Sequence, residues 1–68
     1  MMRLNVREIR EKLEMSQLEF AATFGLNLST LRQWEQERKS PAGPARVLLM
    51  VIERSPQIVA DAIKPRAA

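Results

Sequence analysis

The chain has 68 residues, with 11 Lys and Arg against 8 Asp and Glu, no Cys and no His. That length allows one domain at most, and the missing Cys and His exclude disulfides, the usual zinc sites and nucleophile pairs built on His. The net charge of +3 and a pI near 10.2 suit an anionic partner such as nucleic acid, although a solvated surface with a few extra bases gives the same count.

Asn5 followed three residues later by Glu8 is a capping-box start, and Val6, Ile9 and Leu13 recur at helical spacing. This predicts a first helix over about Val6 to Leu13. Ser16 and Glu19 repeat the start signal, with Leu18, Phe20, Ala21 and Phe24 behind them. The second helix is expected over about Gln17 to Phe24, with Gly25 where a left-handed C-cap is wanted. Only Glu14 and Met15 link the two. Asn27 is a good N-cap for a third helix from Leu28 to Gln36 or Glu37. The stretch "KSPAGP" breaks it. Pro44 suits the first turn of a fourth helix, Ala45 to Arg54, apolar over a wide arc at Val47, Leu48, Leu49, Val51 and Ile52. Ser55 and Pro56 read as an N-cap and first helical residue, opening a fifth helix, Gln57 to Ile63, that Pro65 ends.

No strand alternation and no internal repeat interrupts this pattern. No apolar run approaches the ~20 residues of a membrane span, and charges occupy the N-terminus where a signal core would sit. The expected fold is all-α, a compact bundle of five short helices forming a single domain over residues 1–68. The expected location is the cytoplasm. Small cores are marginally stable alone, so oligomerisation is the expected supplement, and no cofactor is expected. Residues 16–37 form two helices joined by a tight Gly-containing turn, the helix-turn-helix signature.

The third helix has two faces. At ~100° per residue, Leu28, Ser29, Arg32, Gln33 and Gln36 cluster on one side, and Asn27, Leu31, Trp34, Glu35 and Arg38 on the other. Leu31 and Trp34 belong in a core with Phe20, Ala21 and Phe24, which leaves the first side outside. Ser, Arg and Gln suit a solvated face, but they are also residues that read base edges in the DNA major groove, and Leu28 could meet a thymine methyl. Periodicity alone favours neither reading. Gln17 opens the second helix, whose N-terminal amides can bind a phosphate. As an isolated residue, it is more simply a tolerated polar group. Arg10 and Glu35 both lie on the inner sides of their helices, where neither should be unpaired, so they are expected to meet as a partly buried ion pair. From Arg32 to Arg46 there are four bases (Arg32, Arg38, Lys39 and Arg46) against Glu35 and Glu37, and pairing Glu35 inside leaves that surface more basic.

The segment "SQLEFAATFGLNLSTLRQWEQERKSP" resembles the lambda-repressor-like (Cro/XRE-type) helix-turn-helix domain, and the following "PAGPARVLLMVIERSPQIVADAI" is similar to the DNA-binding domain of HigA- and MqsA-type antitoxins. The resemblance covers nearly the whole chain. It implies that Gln17 contacts a phosphate, that Asn27, Leu28, Ser29, Arg32 and Gln33 face the groove, and that Thr30, Arg38 and Lys39 contact the backbone. Ser29 and Gln33 fall where base readout is most often carried. It also implies a buried Arg10–Glu35 pair, a homodimer on a palindromic double-stranded operator, and a dimer surface on the fifth helix, about residues 56–64, at Ile58, Val59, Ala62 and Ile63. A RelE-like toxin would be a further partner, engaged through a segment preceding this domain. Only Met1 to Leu4 precede the first helix here, so that segment is expected to be missing from this chain.

The chain departs from the family pattern at Glu37, where a Gly is usual. That position commonly needs positive φ, which is unfavourable for Glu, so either the third helix runs on or Glu37 is strained. The leading expectation is a sequence-specific repressor domain, the autoregulatory DNA-binding part of a type II antitoxin. A dimerisation or toxin-binding module with little DNA affinity is the alternative. An enzyme is not expected, because no base, orienting group and concave site come together.

Overall fold

The computed structural model describes residues 4–64. Among these there are five helices: α1 (Val6–Lys12), α2 (Gln17–Phe24), α3 (Leu28–Glu35), α4 (Pro44–Arg54) and α5 (Pro56–Ile63). The first three begin as their sequences dictate. Asn5, Ser16 and Asn27 have extended backbones, and their side-chain oxygens accept from the N–H groups of Glu8, Glu19 and Thr30 at 3.0, 3.0 and 3.1 Å. At Ser16 the box is closed by Glu19, whose carboxylate accepts from the Ser16 N–H at 2.9 Å. That bond, with the Ser16 hydroxyl, holds the Glu19 carboxyl below its ordinary range.

The same three helices end on left-handed residues: Glu14 (φ 56°), Gly25 (φ 68°) and Glu37 (φ 58°). Behind each, a backbone N–H reaches back five residues: Met15 to the Arg10 carbonyl, Leu26 to Ala21, and Arg38 to Gln33. These are Schellman closures. The third helix therefore does not run on; Glu37 takes the left-handed turn itself. The Glu14 turn, read from sequence only as a two-residue link, is of the same kind. A left-handed conformation costs an ordinary L-residue about 1–2 kcal/mol, part of which Gly returns through its larger unfolded-state entropy. We expect Glu14→Gly to stabilise the domain by about 1 kcal/mol, raising the melting midpoint by about 4–8 °C. Thermal unfolding of the two proteins side by side measures this, and an unchanged or lower midpoint contradicts it.

Ser55 departs from expectation. It sits between α4 and α5, but its hydroxyl makes no capping bond. Its ψ is 68°, against 102–167° at the three working caps, and its N–H is committed to closing α4 on the Val51 carbonyl at 2.7 Å. One residue serves as the end of one helix and the start of the next. Pro44 and Pro56 each occupy the first helical position, where a missing N–H costs nothing.

The core is Val6, Ile9, Phe20, Ala21, Phe24, Leu31, Leu49, Ile52 and Val59. The rings of Phe20 and Phe24 pack at 4.9 Å and 57°. α2 packs on α3 and α5, α1 on α3 and α4, and α4 on α5. Thus α3, the element with the unexplained polar face, is clasped from behind by α1 and α2. Trp34 is only half-buried at the core edge, and Leu18 lies exposed on α2.

Candidate nucleic-acid interface

The anchor of α3 is Glu35, whose side chain is 0% exposed. Its carboxylate accepts from Arg10 twice, Nε to Oε2 at 2.7 Å and Nη2 to Oε1 at 2.9 Å. Gln17 Nε2 adds a bond to Oε1 at 3.2 Å, and Arg7 Nε approaches it at 3.5 Å. Arg10 is also held by its Nη1, which donates to the Met15 carbonyl at 2.9 Å, just past the Glu14 turn. Burial alone would push the Glu35 carboxyl up; the hydrogen bonds from Arg10, then Gln17, outweigh it and hold the group below its ordinary value. The Glu35 hydrogen bond in turn raises Arg10. The expected Arg10–Glu35 pair is present, in a bidentate form. The roles of Arg7 and Gln17 in it were missed. Arg7 stands three residues before Arg10 on the same helical face, which was the available signal.

With its back anchored, α3 turns one face toward solvent. Ser29 and Arg32 are exposed, and Thr30 and Gln33 are half-buried. Asn27 is exposed, but its side-chain oxygen is occupied by the cap. Leu28 corrects the expectation that it lies wholly outside: it is half-buried and packs against the core, so part of its side chain already has an apolar partner. Gln17, expected only as a phosphate contact, is half-buried and reaches inward to Glu35, while its Oε1 accepts from Arg32 Nε at 3.4 Å. Arg38 and Lys39 follow the left-handed Glu37 and are both exposed. Their N–H groups close on the Gln33 carbonyl at 2.9 and 3.4 Å, so the turn swings two bases to the end of α3.

This is a helix-turn-helix in geometry: two helices of eight residues each, a left-handed Gly25 between them, and a polar second helix facing out. A helix-turn-helix family model matches residues 6–49, from the first residue of α1 to the buried Leu49 of α4. The chain belongs to the Cro/XRE-type helix-turn-helix family. The domain is similar to the crystal structure of an HTH XRE-family like protein from Agrobacterium tumefaciens, with a TM-score of 0.84 and 41% identity, over 87% of this chain and 95% of that one. It is also similar to Antitoxin HigA-2 of Vibrio cholerae, 41% identical over 49 residues. That match takes in 72% of this chain and 47% of the antitoxin, so the helix-turn-helix domain spans about half the length of the relative.

On α5 the anticipated dimer residues do not share one face. Ile58 is 66% exposed and Ala62 is exposed one turn on. Val59 is 7% exposed and belongs to the core, which corrects its expected place in a dimer surface. A side chain already buried against its own domain has little left to offer a second copy. Ile63 is 43% exposed, but its Cδ1 reaches toward the turn after α2, 3.7 Å from where a Cβ on Gly25 would stand. Exposed apolar side chains that were not anticipated as a surface are Val47, Met50 and Val51 on α4. They recur at i, i+3 and i+4, one outward stripe. Among the described residues, no helix is long and apolar enough to cross a membrane.

Proposed function

We propose that the chain is a sequence-specific DNA-binding repressor domain, the autoregulatory DNA-binding part of a type II toxin–antitoxin antitoxin. The observation that carries this reading is the outward face of α3. Ser29 and Arg32 are exposed and Gln33 half-exposed on a helix whose other side is locked by the Glu35 cluster, with Arg38 and Lys39 at its end. The similarity to Antitoxin HigA-2 supports the finer assignment. In operation, α3 enters the major groove, Ser29, Arg32 and Gln33 meet base edges, and Gln17, Asn27, Thr30, Arg38 and Lys39 meet the phosphate backbone. Two copies, joined through the outer face of α5 at Ile58 and Ala62, set their α3 helices about one DNA turn (~34 Å) apart on a palindromic site. A small toxin of the RelE type is the proposed further partner.

A mobility shift with the promoter DNA upstream of the gene, at two salt concentrations, tests the reading. A complex that weakens steeply with salt is expected. Arg38→Ala should weaken binding to all sequences alike and reduce the salt slope by about 1. The apolar stripe Val47, Met50 and Val51 favours a second reading, a protein-interaction module with little DNA affinity. Absence of any salt-sensitive complex, with a tight protein–protein association, selects that one.

A further inference from the structure

We propose that Gln17 acts as a positioning residue for Arg32, coupling the buried ion pair to the reading face; this rests on the DNA-binding role proposed above. The Gln17 amide stands between a group that can only accept and one that can only donate. Its Nε2 donates to Glu35 Oε1 at 3.2 Å, and its Oε1 accepts from Arg32 Nε at 3.4 Å. An ionised carboxylate has no proton to give and a guanidinium no lone pair to offer, so the amide can point only one way. Glu35 is in turn fixed by the two bonds from Arg10. The result is a chain of hydrogen bonds, Arg10 to Glu35 to Gln17 to Arg32. It runs from the interior of the domain to an exposed side chain on the groove face of α3.

The consequence lies in what Arg32 has left. With Nε engaged by Gln17, its Nη1 and Nη2 remain for a partner, and this end is the planar fork that matches guanine or phosphate. An exposed arginine otherwise samples many rotamers and loses that freedom on binding. Ordering such a side chain beforehand removes a cost equivalent to about 3- to 10-fold in affinity. The neighbouring groove position, Leu28, has no hydrogen-bonding group with which to take over this role, and it already packs on the core.

A double-mutant cycle tests the coupling. The probe is a DNA duplex selected by the wild-type protein from a randomised pool, paired with a version changed at the base where Arg32→Ala loses its preference. Gln17→Leu should reduce discrimination at that base by about 3- to 10-fold in the wild-type background. In an Arg32→Ala background it should change discrimination there not at all, while any loss of a phosphate contact lowers both affinities equally. Additive effects on discrimination overturn the proposal. Gln17→Met serves in place of Gln17→Leu if the latter does not fold. In the absence of DNA, the Arg32 Nε–H resonance should stand apart from those of other exposed arginines and move toward them in Gln17→Leu. An Arg32 signal that ignores residue 17 overturns the relay even if DNA binding is intact. A wild type that binds no DNA, with the resonance shift present, refutes the DNA-binding reading and with it the role of the contact in base discrimination.

Discussion

Replacing Glu35 with Ala is expected to destabilise the domain by about 3–5 kcal/mol, the usual result of removing one partner of a buried ion pair. At roughly 0.05–0.15 kcal/mol per residue, the whole domain is stable by only about 3–10 kcal/mol, so the variant should be substantially unfolded at room temperature. The carboxylate is fully enclosed and answers Arg10, Arg7 and Gln17 together; its loss leaves Arg10 with the Met15 carbonyl alone among its present partners. Glu35→Gln keeps the volume but cannot accept two charged bonds, so it should fall between. The carboxyl is held below its ordinary value of 4.5 in the fold. A depressed carboxyl contributes stability that is present above the unfolded value and lost as pH falls through the folded value. The gap between wild type and Glu35→Gln should accordingly be full near pH 7 and shrink below about pH 4.5. Urea unfolding followed by the fluorescence of Trp34 measures both. A Glu35→Ala midpoint equal to that of the wild type would show that the pair contributes no net stability.

The cluster also shows how far the sequence could be read. Caps at Asn5, Ser16 and Asn27, the Gly25 turn and the Arg10–Glu35 pair were legible, because each depends on local spacing or on the cost of an unpaired charge. Glu37 was legible only as a conflict. Its residue type disfavours φ of 58°, yet the Schellman bonds to Gln33 and Trp34 hold it there, since ending α3 at this point outweighs the local strain. Ser55 looked like a cap because residue type and a following Pro are the whole of that signal. What failed was its backbone angle, set by two helices that meet at a single residue. Val59 entered the expected dimer surface only through the family resemblance, yet it packs in the core. A short apolar helix between core and solvent has hydrophobic residues on more than one side, and a resemblance of motifs does not say which of them faces in. The direction of the Gln17 amide was beyond sequence reading altogether, because it depends on three side chains from two helices converging on one point.

The second large effect belongs to the reading face. Arg32→Ala combined with Gln33→Ala should abolish most sequence discrimination while leaving general DNA affinity largely in place. A well-placed Arg to guanine or Gln to adenine discriminates by about 1–3 kcal/mol, so on the proposed DNA-binding role the pair together would supply roughly 2–6 kcal/mol per copy, or about 30-fold to more than 10,000-fold between a selected site and a scrambled one. Neither side chain carries the fold. Arg32 is exposed, and Gln33 contributes to the end of α3 through its backbone carbonyl, which alanine retains. The melting midpoint should therefore change little, in contrast with Glu35→Ala. Arg38 and Lys39 lie exposed beyond the turn and are unchanged, so on the proposed role the salt dependence should lose no more than the share of Arg32. Competition binding with selected and scrambled duplexes at one salt concentration separates the two quantities. Undiminished discrimination in the double variant places base readout elsewhere in the domain. Equal loss on both duplexes makes α3 a phosphate-binding surface, since backbone contacts carry affinity without sequence.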